Sequence, residues 1–371
     1  MQALAALLLS ALFCAAAARR APGDARPNII VFLPDTIRAD ALSVYGHPFT
    51  QTPAAARLAA SGVTFAQAHA QHTQCTPSRC ALFTGRYMHV LGHRTQNHLL
   101  QAREQNAFAL LKAAGYTTIS LGKDDVIAPE AMNQTYTYWA EDIGVSKGAN
   151  PYAFGEAGYY AMKAEAGAAA ANSTANGDVL QARLVADLLR DGALPEPFAI
   201  IMTGEGAHPP YGAPEPYHSM YSGAQVAAKA PLRGFREGLP PHLGPQGIEH
   251  FRNLTSFSPA FFNDIAAIYF GRVAYTDVQL GRVLDALDAS AFVNSTAVLF
   301  SSDHGDFHGA CAPARGARSG SPARARPQLN RARSATLMTP HTPTPNPRVQ
   351  ASIAPSKSFR AASRTRSRAS R

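Results

Sequence analysis

A cysteine stands immediately ahead of a helix start in Gln74-Cys75-Thr76-Pro77-Ser78-Arg79, and Leu82-Phe83-Thr84-Gly85-Arg86 follows. Thr76 can cap a helix whose first residue is Pro77, and Gly85 can end it. The free N–H groups and positive dipole end of such a helix favour an anion beside residue 75. A thiol in that field is acidified and becomes a nucleophile, here aimed at an anionic ester. The spacing alone leaves sulfate, phosphate and acyl esters open.

Four more polar clusters follow short apolar runs: Asp35-Thr36, Lys123-Asp124-Asp125, His208-Pro209-Pro210 and Asp303-His304-Gly305-Asp306. Asp35, Asp303 and His304 offer two carboxylates and an imidazole, and Thr36 adds an oxygen. A set made mostly of oxygen suits Ca²⁺ or Mg²⁺ better than Zn²⁺. Arg79, Lys123 and His208 are cationic or can become so. The combination describes a divalent cation and positive side chains around an anion. Taken singly, each residue has an ordinary role: an Asp at a strand end forms a turn, a His before Pro-Pro lies in a loop, and a lone Lys faces solvent. Their joint placement after successive apolar runs is what argues for a site.

The elements that must position them alternate in type. Apolar runs at 27–34, 116–122, 197–203 and 295–302 read as buried strands, and 62–70 as a strand with its loop. Helices are expected at 53–60, 104–114, 178–190 and about 262–288, the last with Ile265, Ile268, Tyr269, Val273, Leu280, Leu284 and Leu287 near one face. This pattern predicts an α/β fold, with a doubly wound, mixed but mostly parallel sheet and helices on both faces. Loops after parallel strands meet at one sheet edge, where ligands bind.

The first 18 residues, an apolar run closing on small residues, are expected to be a signal peptide cut near Ala18. Acceptor triplets at Asn133, Asn172, Asn253 and Asn294 agree with a glycoprotein of the secretory pathway, extracellular or lysosomal. No later stretch reads as a transmembrane anchor. Outside the leader the cysteines are Cys75, Cys80 and Cys311, too few for a disulfide scaffold. The chain of 371 residues carries a formal +9, yet residues 311–371 hold twelve Arg, one Lys and no acid, so residues 1–310 are net acidic at −4. That Arg-, Ser- and Pro-rich tail is expected to be disordered. A polyanion-binding arm is one reading of it, a solvated tail another, and no nucleic-acid partner is expected.

The stretch C-T-P-S-R with T-G-R after it resembles the sulfatase signature, supported by N-I-I-V-F-L-P-D-T-I-R-A-D at the front and S-S-D-H-G-D at the back. The resemblance spans about residues 27–309. Leu121-Gly122-Lys123-Asp124-Asp125 is most similar to arylsulfatase K-type members. It implies an alkaline-phosphatase-like fold and hydrolysis of sulfate esters, on sugars or glycans or on aryl sulfates. It implies that Cys75 is oxidised to formylglycine by the formylglycine-generating enzyme, which reads Pro77 and Arg79 as well. One hydroxyl of the hydrated aldehyde then attacks sulfur, and the other helps expel sulfate. Asp35, Thr36, Asp303, His304 and residue 75 would hold Ca²⁺. Arg79 would orient the formylglycine, while Lys123, His208 and Asp125 would meet substrate.

Two positions depart from the family pattern: Thr36 stands where many sulfatases carry a second metal-binding Asp, and Asp125 where most carry His. Sulfatases also continue well beyond the D-H-G-D loop. The expectation is therefore an incomplete catalytic domain over 27–310, a missing C-terminal subdomain, an aberrant tail over 311–371 and impaired activity. The alternatives are a non-catalytic protein that binds sulfated glycans, or a phosphodiesterase or phosphonate hydrolase of the same superfamily.

Overall fold

The computed structural model describes residues 26–140, 177–230 and 257–306, together with the backbone of 336–340. The expected leader, Asn172, Asn253, Cys311 and the remainder of the tail lie outside the described residues.

Seven strands among these residues form one sheet: β1 (Asn28–Phe32), β2 (Val63–Thr64), β3 (Thr117–Gly122), β4 (Tyr138–Ala140), β5 (Phe198–Thr203), β6 (Thr296–Ser301) and β7 (Thr336–Pro340). Their order is β2-β7-β6-β1-β5-β3-β4. The five from β6 to β4 run parallel, and β7 and β2 complete one edge antiparallel. The helices are α1 (Pro53–Ala60), α2 (Cys75–Thr84), α3 (Ala107–Ala113), α4 (Gly177–Arg190), α5 (Gly223–Lys229) and α6 (Pro259–Asp288), with single-turn helices between them.

The central strands are apolar on both faces because helices cover both. Ile30, Phe32, Ile200, Met202, Val298 and Phe300 enter one core with residues of α1, α4 and α6. Their alternate neighbours Val31, Leu33, Ala199 and Ile201 enter a second core with Phe83 of α2 and Phe108 of α3. The doubly wound expectation therefore holds for the described residues.

Some details differ from expectation. Helix α2 begins at Cys75 with Gln74 at its cap position, so Thr76 does not cap it. The Thr76 N–H instead donates to Gln96 Oε1 at 2.8 Å, and the Thr76 hydroxyl donates to the Gln96 carbonyl at 3.3 Å. A neighbouring loop thus supplies the acceptor that a cap would have provided. Helix α6 starts at Pro259 because the Ser258 side chain accepts from the Phe261 N–H. Residues 336–340, an uncharged Thr-Leu-Met-Thr-Pro run within 311–371, pair as β7 with both β6 and β2.

Within α6, Asp277 acts at a distance as the cap of α1. Its two carboxylate oxygens accept from the Ala54 and Ala55 N–H groups, each at 2.8 Å. Burial nevertheless pushes its pKa up to about 6, against the pull of those two N–H groups. The folded pKa exceeds the unfolded one, so the stability linked to this group is fully present below pH ~4 and lost as pH rises through about 6. Asp277→Ala leaves two first-turn donors buried without partners and is expected to cost about 1–3 kcal/mol, measured by urea denaturation. The same variant should flatten the stability change between pH 4 and 6.

Candidate active site

Strands β6, β1, β5 and β3 are consecutive neighbours in the sheet. The residues after their carboxyl ends therefore meet at one edge: Asp303 and His304, Asp35, His208, and Lys123. The N-terminus of α2 adds Cys75 to the same place.

At the centre lies the Cys75 Sγ, 3.2 Å from His304 Nε2, 3.6 Å from Asp35 Oδ1 and 3.9 Å from Lys123 Nζ. His208 lies close enough to this sulfur to lower the thiol pKa, and its Nδ1 is fixed 2.6 Å from the Pro209 carbonyl. Burial pushes the thiol pKa up, but His208 and His304 outweigh it, and the net shift is downward. Burial works against a charged His304 as well. The Cys75 contact and the carboxylates of Asp303 and Asp35 overcome it and lift its pKa to about 10.

Arg79 organises the floor of the site. It is fully buried, donating from Nη2 to Asp35 Oδ2 at 3.2 Å and from Nε to Asp303 Oδ2 at 2.9 Å, and neither carboxylate is exposed. Its Nη1 donates to the carbonyls of Lys123 and Asp124 at 2.6 and 3.0 Å. One guanidinium thus ties together the loops after β1, β3 and β6, a task suited to its planar fork of donors. Lys123 Nζ bonds Asp35 Oδ2 at 2.9 Å on one side and Asp125 at 3.1 Å on the other. Burial alone would raise the Asp35 pKa, yet the charges of Lys123 and Arg79 hold it far below the usual carboxylate range.

Asp35, Cys75, Asp303 and His304 each present one donor atom, and these atoms lie within 4.8 Å of one another. The fifth residue expected to hold an ion, Thr36, has its hydroxyl donated to Asp35 Oδ1. Its backbone is left-handed at φ 66°, which is strained for a β-branched residue. Asp303 Oδ1 accepts from the Thr36 N–H at 3.1 Å, and the Tyr269 hydroxyl donates to the Thr36 carbonyl at 2.9 Å. These bonds hold the strained residue in place. Asp125 sits at the open side of the site, its side chain 37% exposed.

Several contributors carry no local signal in the sequence. Tyr269 of α6 looks like core by its spacing, yet its hydroxyl also accepts from the Arg38 N–H at 2.8 Å. Ser302 Oγ accepts from the Ile37 N–H at 2.8 Å, and Ser78 Oγ donates to the Asp303 carbonyl. Asp306 accepts from the Tyr211 hydroxyl, while its main-chain oxygen accepts from Arg38 at 3.3 Å. The D-H-G-D loop is therefore tied to the loops after β5 and β1.

Residues 27–338 match the family model described as Sulfatase. The ulvan-active sulfatase of Formosa agariphila is 27% identical over 294 residues, covering 77% of this chain and 52% of its own length. Iduronate 2-sulfatase of Homo sapiens is 27% identical over 314 residues, covering 75% of this chain and 54% of its own. Arylsulfatase K of Danio rerio is 24% identical over 302 residues, with 76% and 55% covered. The chain spans about half the length of these curated relatives. Among solved structures, the phosphonate monoester hydrolase of Agrobacterium radiobacter shares the fold at TM-score 0.61 and 20% identity, covering 85% of this chain and 68% of that one. A protein solved with its substrate D-glucosamine-2-N,6-O-disulfate shares it at TM-score 0.56 and 18% identity, with 85% and 71% covered.

Proposed function

The chain belongs to the sulfatase family, and from that premise we propose that it hydrolyses sulfate esters of carbohydrates with a nucleophile made from Cys75. The observation that carries the proposal is the position of Cys75 Sγ, in contact with His304, Asp35 and Lys123 at once. The printed names of relatives, an ulvan-active sulfatase and an iduronate 2-sulfatase, favour a sugar over a simple aryl sulfate.

The donor set suits a divalent cation better in one chemical form of residue 75 than in the other. With Cys75 as a thiol it is two carboxylate oxygens, one nitrogen and one sulfur, a mixed set for a hard ion. An oxygen at position 75 makes it mostly oxygen and suited to Ca²⁺. Conversion of Cys75 to formylglycine by the formylglycine-generating enzyme therefore improves the fit and also supplies an oxygen nucleophile. Asp35, Asp303, His304 and residue 75 would hold the ion, which when bound acts as a Lewis acid toward a sulfate oxygen.

The protein's own groups do the rest. Arg79 keeps both carboxylates in register with the Lys123 backbone. Lys123 and His208 present donors where negative charge gathers as the ester bond breaks. Thr36 supports Asp35 through its hydroxyl. Asp125, at the rim beside Lys123, would face the sugar. We place the protein in the secretory pathway, extracellular or lysosomal; Asn133 and Asn294 are both exposed for glycosylation. Among the described residues no helix is long and apolar enough to cross a membrane.

The test is a parallel assay of the purified 371-residue chain on a sulfated monosaccharide, an aryl sulfate and a phosphonate monoester, with mass spectrometry of the peptide ending at Arg79. Formylglycine at 75 and Ca²⁺-dependent release of sulfate are expected. Turnover of the phosphonate alone would assign the chain to the other branch of the superfamily. An intact thiol with sulfate binding but no turnover would make it a glycan-binding protein.

A further inference from the structure

His208 reaches Cys75 from a loop, Gly204–His208, whose own shape needs an explanation. Gly206 has φ +53°, and a Cβ there would lie 2.4 Å from the Asp35 carbonyl oxygen. The loop runs in that close contact with Asp35: the Asp35 N–H donates to the Gly204 carbonyl and the Ala207 N–H to the Asp35 carbonyl, both at 3.1 Å. Two buried charged side chains grip it from the other side. Asp178, the second residue of α4 and 5% exposed, accepts from the Glu205 N–H at 2.7 Å and from the Gly206 N–H at 3.1 Å. Arg272, in the middle of α6 and 7% exposed, donates from Nε to the Gly206 carbonyl at 2.8 Å.

We propose that Asp178 and Arg272 are positioning residues that set His208 against Cys75 by clamping both polar groups of the Gly206 backbone. Both charges sit away from the cation site: Asp178 meets N–H groups and Arg272 a carbonyl, and neither is among the residues that surround Cys75. Burying an acid and a guanidinium is costly unless each is hydrogen-bonded. Here the Asp178 carboxylate and Arg272 Nε both bond the loop that carries His208, and the Arg272 charge also acts on Asp178. The fully occupied clamp leaves Gly206 no freedom to swing, so the His208 imidazole is aimed before an anion arrives. The inference rests on the reading of His208 as a sulfate ligand.

The experiment is a double-mutant cycle on the full chain, with affinity for inorganic sulfate read by equilibrium dialysis. Asp178→Asn and Arg272→Gln are each expected to weaken sulfate binding about tenfold when His208 is present, and less than about twofold in a His208→Ala background. Arg272→Lys, which keeps a donor, should recover part of the loss. Equal losses in both backgrounds, or none in either, would overturn the clamp while leaving the site reading intact. A His208→Ala variant with unaltered sulfate affinity would instead remove the premise, and the clamp with it. Should Asp178→Asn fail to fold, the Arg272 arm decides alone, since Arg272→Gln and Arg272→Lys can be matched for thermal midpoint before dialysis.

Discussion

Cys75→Ala is expected to abolish sulfate-ester turnover, with kcat/KM reduced by about 10⁴-fold or more. The reasoning is positional. Residue 75 is the group touched by His304, Asp35 and Lys123 at once, and the Lys123 amine is committed to ion pairs with Asp35 and Asp125. Cys75→Ser keeps the size but offers a hydroxyl that the modifying enzyme for cysteine would not convert, and it is expected to stay within about tenfold of the alanine variant. Stability should hardly move in either, because the substitution removes one small sulfur from a polar cluster. A retained rate in Cys75→Ala, measured against a purification control, would put the nucleophile elsewhere.

Arg79→Ala is expected to show the largest loss of stability of any single change in the site, about 3–5 kcal/mol. Two carboxylates with no solvent exposure would lose a shared cation, and the carbonyls of Lys123 and Asp124 would lose their donor. Against a typical total of about 5–15 kcal/mol, such a loss removes from about a fifth to all of the stability. Arg79→Lys restores charge but cannot bridge both acids and both carbonyls, so it should recover less than half. Combining Arg79→Ala with Asp303→Ala should cost clearly less than the sum of the two single changes, because the orphaned charge disappears with its partner. Chemical denaturation of the four proteins checks this; strict additivity would mean that the pair is not coupled.

The parts of the fold that can be read from the chain are those where one residue type does one job. Strands β1, β3, β5 and β6 are continuous apolar runs because both their faces are buried, and each ends on charged or polar residues because it opens onto the site. That is why Asp35, Lys123, His208, Asp303 and His304 stand out at the level of sequence. Strand β4 has three residues and too little length to show any pattern. Strand β7 lies in an Arg-rich context and contributes through backbone pairing, which composition does not register. Thr36 is recognisable as an oxygen donor, but the partner of its hydroxyl follows from a left-handed backbone that no propensity assigns to threonine. Tyr269, Asp178 and Arg272 reach the site loops from helices, across distances of more than 60 residues in sequence in the last case. Their signal is tertiary.

Helix α6 makes three of these ties from three different turns: Tyr269 to the Thr36 carbonyl, Arg272 to the Gly206 carbonyl and Asp277 to the first turn of α1. A single 30-residue rod thus holds the loops after β1 and β5 and the start of α1 to one axis. In dynamic terms these segments should open as one cooperative unit. The amides of Thr36, Ala54, Ala55, Gly206 and Ala207 should then exchange with solvent deuterium at rates close to one another and to the middle of α6, and shift together when Tyr269 is replaced by phenylalanine.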